Sequence, residues 1–246
     1  MLANTSKFYK KYIIDSNTSV NNVYDVFTNT QKCYSEKLRT SLKVGITRGG
    51  LATCRSPVYY NYLLVDSTTL NNVLERYSAS STRIVENNDF DTFCEGCFYV
   101  GKGTKNRKFE HLVEAKEKFY NFSSKDYCKK LETMCDLFRN GGAVTVIQLF
   151  PNLNHYEAHA REYAMIHALG LHNTCNIVHG TTYGDIKFWT TIEVINFGKM
   201  LLYNALLMCI IEPPHSFYLK DIVLPRSKVR HENWELRGIL DYFLEI

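Results

Sequence analysis

The apolar positions of this chain fall into short dense runs and longer spaced stretches, and the two patterns predict different elements. VYYNYLLV at 58–65 is a continuous β-branched and aromatic run of the length of a buried strand. FYVG at 98–101 predicts a second, shorter strand stopped by Gly-Lys-Gly, and AVTVIQLF at 143–150 a third, entered through Gly141-Gly142. His111, Leu112, Ala115 and Phe119 have helical spacing after the second strand. Leu131, Met134 and Leu137 or Phe138 predict another helix from Tyr127 to Arg139. Asn154 is placed to cap a helix from His155 to Leu169, closed by Gly170. A last apolar helix covers 190–211. Residues 66–96 are polar, contain SASS and ENND, and predict a long connection. Residues 1–57 are rich in Asn, Ser and Thr, with few apolar positions at weak spacing, and predict an N-terminal appendage. Residues 58–225 then form the domain and 226–246 a C-terminal tail. The order β, loop, β, α, α, β, α, α implies an α/β (α+β) fold: a small domain with a central three-stranded mixed sheet flanked by helices, not a doubly wound one.

Composition narrows the class. In 246 residues, 45% hydrophobic and 13% aromatic content suffices for a true core and excludes a disordered chain. The first residues, MLANTSKFYKKYIIDSN, lack the apolar run and small-residue cleavage site of a signal peptide. The most apolar stretch, 192–211, carries Glu193, Asn196, Lys199 and Asn204, so it reads as a buried amphipathic helix and predicts no membrane span. The expected setting is intracellular, and the eight cysteines are expected as reduced thiols.

The net charge of +4 is modest, but it is local. From Lys102 to Lys130 there are nine basic residues against four acidic ones, a local +5. Such clusters hold phosphate backbones, although mixed Lys/Glu faces on solvated helices look the same by charge alone. Side-chain chemistry adds to this. The two-residue strand period puts Tyr60 and Tyr62 on one face and Tyr59 on the other. The second strand offers Tyr99, and Arg107 and His111 share a helix face. Phosphodiester hydrolysis needs these residue types. A carboxylate holds a hard divalent cation, a guanidinium matches phosphate oxygens, and a phenol or imidazole takes a proton from water.

Three segments together carry a family resemblance: YNYLLVD (60–66), FYVGKGTKNRKFEHL (98–112) and EAHAREYAMIHALG (157–170) with Asn176. They resemble the GIY-YIG nuclease superfamily, within it the animal nucleases that carry LEM and ankyrin-repeat domains. The likeness covers roughly 58–225. The second motif stands as Tyr99-Val100-Gly101. The first is Tyr60-Asn61-Tyr62 where Gly-Ile-Tyr would be, so only its tyrosine is retained. The resemblance implies Tyr62 as the residue that contacts the attacking water and acts as general base. Tyr99 would orient water or phosphate, and Gly101 would allow close backbone approach. Lys102 would contact phosphate or lower a pKa. Arg107 would clamp the scissile phosphate, and His111 would assist proton transfer. Glu162, in preference to Glu157, would hold a single Mg²⁺ or Mn²⁺, because Glu162, Ile166 and Asn176 keep the family spacing. Asn176 would support the site by hydrogen bonding. Lys105 and Lys108 would join Lys102 and Arg107 in DNA binding. The implied function is cleavage of branched or duplex DNA to 5′-phosphate and 3′-hydroxyl ends, in nucleus or cytoplasm.

Several rivals fit less well. Cys94-Glu95-Gly96-Cys97 has CxxC spacing, with Cys128 and Cys135 as partners for structural zinc, but an isolated CxxC is weak support. His155-Tyr156-Glu157-Ala158-His159 has the wrong order for HExxH, and no Pro-Cys-x-x-Cys follows it as zinc deaminases require. Gly101-Lys102-Gly103 lacks the Walker pattern. A different class of function stays open: a non-catalytic nucleic-acid-binding module on a nuclease scaffold.

Overall fold

The computed structural model describes residues 58–78, 85–120 and 128–224. The appendage expected over 1–57 and the tail over 226–246 lie outside them. The three apolar runs form β1 (Tyr59–Asp66), β2 (Cys97–Gly103) and β3 (Val144–Leu153). A two-residue β4 (Ser216–Phe217) completes a four-stranded sheet in the order β2-β1-β3-β4. Every pairing is antiparallel, so the expectation of a mixed three-stranded sheet is corrected. β1 is fully central because it is apolar on both faces, and helices cover both.

The largest departure is within 66–96, expected as a connection, where α1 (Ser67–Ser78) and α2 (Asn87–Gly96) form. The helical signal was present but thin. Leu70, Val73, Leu74 and Tyr77 repeat at helical spacing among polar neighbours, and Phe90 and Phe93 do so in α2. Asp66 starts α1 by accepting from Thr68 N and Thr69 Oγ1, both at 2.9 Å. The buried Asp89 joins the two helices through Arg76, 2.5 Å away, and the Tyr77 hydroxyl.

α3 (Arg107–Tyr120) and α4 (Lys129–Arg139) pack on one face of the sheet, with Tyr60, Tyr62, Leu64, Leu112, Met134 and Phe138 between. α5 (His155–Leu169) and α6 (Thr191–Ile211) cover the other face together with α1 and α2. Asn154 caps α5 as expected, accepting from Glu157 N at 2.8 Å. Thr190 and Glu193 form a reciprocal capping box at the start of α6. The length and apolar content of α6 would suit a bilayer, yet Val194, Phe197, Leu201, Leu202, Ala205 and Leu206 are buried in the core. It is less amphipathic than its polar residues imply, because α5 flanks it on one side and α1 and α2 on another.

The crossing of α5 and α6 depends on Gly198. A Cβ there would stand 2.0 Å from the Ala164 carbonyl oxygen. Backbone cannot yield as a side-chain tip can, so Gly198→Ala should destabilise the fold by about 3 kcal/mol, the upper end of overpacking costs. Urea unfolding followed by far-UV circular dichroism measures it, and an unchanged midpoint would refute this packing account.

Candidate active site

The site is built around the edge strand β2 and its neighbour β1. Tyr62 pairs with Gly101 across the two strands, and its ring lies over that glycine. A Cβ at 101 would come within 2.3 Å of Tyr62 Cζ, so only glycine admits the ring. The close approach expected at Gly101 is therefore made by the Tyr62 ring. Tyr62 is 1% exposed, and its hydroxyl lies 2.7 Å from His111 Nε2 on α3. Glu114, one turn on, places Oε2 3.0 Å from His111 Nδ1. The Tyr99 ring stands 6.1 Å from that of Tyr62 and 5.7 Å, edge-on, from that of His111. The buried Lys130 of α4 holds its ammonium 4.7 Å from the Tyr99 ring centre and 2.8 Å from His111 Nδ1.

Burial sets the electrostatics here. It drives the Tyr62 phenol far above its ordinary value, with Tyr99 adding to the effect, and raises Tyr99 likewise. The same burial lowers His111 against the pull of Glu114, and the Lys130 charge lowers it further. Burial also works to raise Glu114, but its bond to His111 carries it below the usual carboxylate range.

Beside the tyrosines, Lys102 and Glu162 form a second pair. Lys102 Nζ donates to Glu162 Oε2 at 2.9 Å, joining β2 to α5. Burial raises the Glu162 carboxyl, opposed by Lys102, and its charge reaches both Tyr62 and Tyr99. Among the described residues no three His, Cys, Asp or Glu side chains converge on one point. A hard divalent cation needs no such cage: one or two carboxylates, waters and substrate phosphate serve. Glu162, a buried carboxylate whose charge reaches both tyrosines, fits that mode. Glu157 is ion-paired to Arg161 of its own helix at 2.8 Å.

The basic cluster is more dispersed than its sequence density implied. Arg107 lies half-exposed at the start of α3, 2.5 Å from Glu110 and 3.5 Å from Glu114, while its charge still reaches Tyr62, Tyr99 and His111. Lys108 donates to Gln148 and lies over the Tyr60 ring. Lys118 pairs with Glu132, Lys116 bonds the Ile222 carbonyl, and Lys129 bonds the Thr174 carbonyl. Lys105 is exposed in the turn after β2, with φ +51°. Its carbonyl accepts from the Tyr60 hydroxyl, which in turn accepts from Lys108 N in the first turn of α3. Tyr60 thus shapes the turn that presents Lys105 and Arg107.

Asn176 is not among the proton-transfer groups. It covers the open edge of β2, where its side chain accepts from Val100 N at 3.0 Å and donates to Val100 O at 2.8 Å. The neighbouring Cys175 N bonds Phe98 O at 2.6 Å. Residues that motif reading passed over also shape the site. Asn61, fully buried, ties β1 to α5 through the Ala158 carbonyl at 2.9 Å. Glu114 and Lys130 were legible only as members of a charged stretch. Of the four cysteines with zinc-ligand spacing, Cys94 lies in the last turn of α2, Cys97 opens β2, Cys128 precedes α4, and Cys135 bonds the Ala115 carbonyl.

Residues 59–223 match the family model described as LEM-3-like GIY-YIG domain. The chain is 31% identical over 163 residues to Ankyrin repeat and LEM domain-containing protein 1 of Mus musculus, covering 66% of this chain and 30% of that protein. It is 34% identical over 123 residues to the Caenorhabditis elegans homolog, covering 50% and 18%. It is 30% identical over 165 residues to the Homo sapiens protein, covering 66% and 26%. The chain therefore spans less than a third of the length of these relatives. No solved structure matches it significantly.

Two outcomes follow from this geometry. Asn176→Ala should cost about 2 kcal/mol, since it leaves both polar groups of Val100 on the β2 edge without their partner; denaturant titration reads this, and an unaltered midpoint would count against the edge-covering role. His159, on α5, is pushed down to about 4 by burial and by the Lys102 and His155 charges. A depressed histidine supports the fold while neutral, so stability should decline as pH falls from the ordinary histidine value towards about 4. In His159→Gln that part of the decline should vanish, and an identical pH dependence in both proteins would contradict the assignment.

Proposed function

This chain belongs to the LEM-3-like GIY-YIG domain family, and from that premise we propose that it is a divalent-metal-dependent endonuclease that hydrolyses DNA phosphodiester bonds. The observation that carries the reading is the buried bond from Tyr62 to His111 within electrostatic reach of the Glu162 carboxylate. A module that merely binds DNA has no need of a buried phenol joined to an imidazole. The substrate we assign is branched or otherwise structured DNA, left with 5′-phosphate and 3′-hydroxyl ends, in nucleus or cytoplasm. Lys105 and Arg107, exposed at the turn after β2, suit phosphate contacts, and such contacts position a duplex without reading its bases.

In this mechanism Arg107 exchanges Glu110 for the scissile phosphate. The swap is cheap, because an exposed ion pair contributes roughly 1 kcal/mol or less. Tyr62 accepts a proton from the attacking water as its own proton passes to His111, and Tyr99 orients the water or the phosphate. Glu162 would hold one Mg²⁺ or Mn²⁺, with Lys102 moving to phosphate; the ion would polarise the phosphate and stabilise the leaving oxygen.

The test is incubation of the 246-residue chain with Mg²⁺ or Mn²⁺ and labelled branched, flap and linear duplex DNA, beside Glu162→Ala. Wild-type cleavage should fall by on the order of a thousandfold in the variant, with binding largely kept. No cleavage of any DNA by the folded wild type, with salt-sensitive binding, would replace the nuclease reading by the binding module. Equal cleavage by both proteins would remove the metal role from Glu162.

A further inference from the structure

The His111 ring has three polar neighbours and two nitrogens, and these fix its tautomer. Nε2 faces the Tyr62 hydroxyl at 2.7 Å, and Nδ1 faces Glu114 Oε2 at 3.0 Å. Lys130 Nζ lies 2.8 Å from Nδ1 but also 3.3 Å from Nε2. A donor along the in-plane lone pair of one ring nitrogen would be much farther from the other. The ammonium must therefore lie over the face of the imidazole, which leaves the in-plane position at Nδ1 to Glu114. A carboxylate can only accept, so Nδ1 carries the hydrogen and Nε2 presents its lone pair to Tyr62.

We propose that Glu114 and Lys130 are positioning residues that hold His111 as the neutral Nδ1–H tautomer, making Tyr62, His111 and Glu114 a proton relay. The proposal rests on the nuclease reading for its purpose and on these contacts for its geometry. The Tyr62 O–H bond breaks and its proton goes to Nε2, giving a phenolate and an imidazolium. The phenolate takes a proton from water, and the hydroxide so formed attacks phosphorus as the 3′-oxygen leaves. The imidazolium then returns its proton, through solvent, to that oxygen. Glu114 stabilises the imidazolium while it lasts. Lys130, stacked on the face, opposes protonation in the resting state and so keeps the ring able to accept. Charged or titratable groups face His111 from every element around it: Arg107 and Glu114 from α3, Lys130 from α4, Tyr62 from β1 and Tyr99 from β2. Burial makes the relay necessary. A phenol raised as far as Tyr62 does not give up its proton unless an acceptor is already aligned with it.

The two residues push the imidazole in opposite directions, which separates positioning from mere support. The full chain labelled with ¹⁵N-histidine should show His111 protonated at Nδ1 in a ring ¹⁵N–¹H correlation spectrum. Glu114→Ala should lose that preference, and Glu114→Gln, whose amide oxygen still accepts, should keep it. On cleaved DNA, Glu114→Ala should lower kcat about a hundredfold with KM little changed. The acid limb of kcat should move to lower pH in Glu114→Gln, where the stabilising charge is gone, and to higher pH in Lys130→Met or Lys130→Gln. An Nε2–H tautomer in the wild type, or acid limbs that stay fixed or shift together, would overturn the proposal. The spectrum does not depend on cleavage: an inactive wild type with the Nδ1–H tautomer would sink the nuclease reading and leave the assignment of Glu114 standing.

Discussion

The close contact between the Tyr62 ring and Gly101 is the constraint on which the site depends. It places a phenol inside the domain, between a central strand and an edge strand, where burial disfavours its ionised form. The polar groups around it follow from that burial. His111 has to arrive from α3 to satisfy the hydroxyl, Glu114 to satisfy the imidazole, and Lys130 to balance the carboxylate. A buried network of this kind holds one geometry only when each member has a partner. Relaxing the contact at 101 would let the ring move and leave three charged or polar groups misaligned.

The domain uses many of its cations on itself. The Lys102–Lys130 stretch reads as a phosphate-binding patch by charge density, but most of its side chains fasten elements together. Lys102 joins β2 to α5, Lys118 joins α3 to α4, and Lys129 fastens α4 to the loop that carries Asn176. Lys105 and Arg107 stand exposed at the turn after β2, and the Tyr60 latch fixes that turn in place. Under the proposed function, a small region of exposed cation beside the buried Tyr62–His111 pair would serve to position a phosphate backbone.

The edge of β2 is a second point where structure and chemistry meet. An open strand edge is a pairing hazard, and here Cys175 and Asn176 occupy it. The same contacts stiffen the strand that carries Tyr99, Gly101 and Lys102. Asn176 therefore acts on the site at a distance, through Val100, while its position in the sequence gives no sign of which strand it meets.

The sequence by itself determined the three main strands, the cap at Asn154, the stop at Gly170 and the family motifs, because strand period, helix caps and turn residues are local properties. Through the resemblance it also pointed to Tyr62, His111 and Glu162 as candidates. It did not determine that 67–78 and 87–96 are helical, since a few apolar residues at helical spacing there gain their weight by packing against α6. Nor did it separate the cations that hold the fold together from those that face solvent. Lys108 and Lys105 are three residues apart, yet one bonds Gln148 of β3 and the other is exposed. The role of Glu114 was equally hidden: beside Arg107 in the chain it reads as an ordinary i,i+7 helix charge. Only tertiary structure brought Tyr62 from forty-nine residues away and Lys130 from nineteen to the same ring. Those approaches are decided by how α3 and α4 pack on the sheet, and local sequence carries no record of a contact made across it.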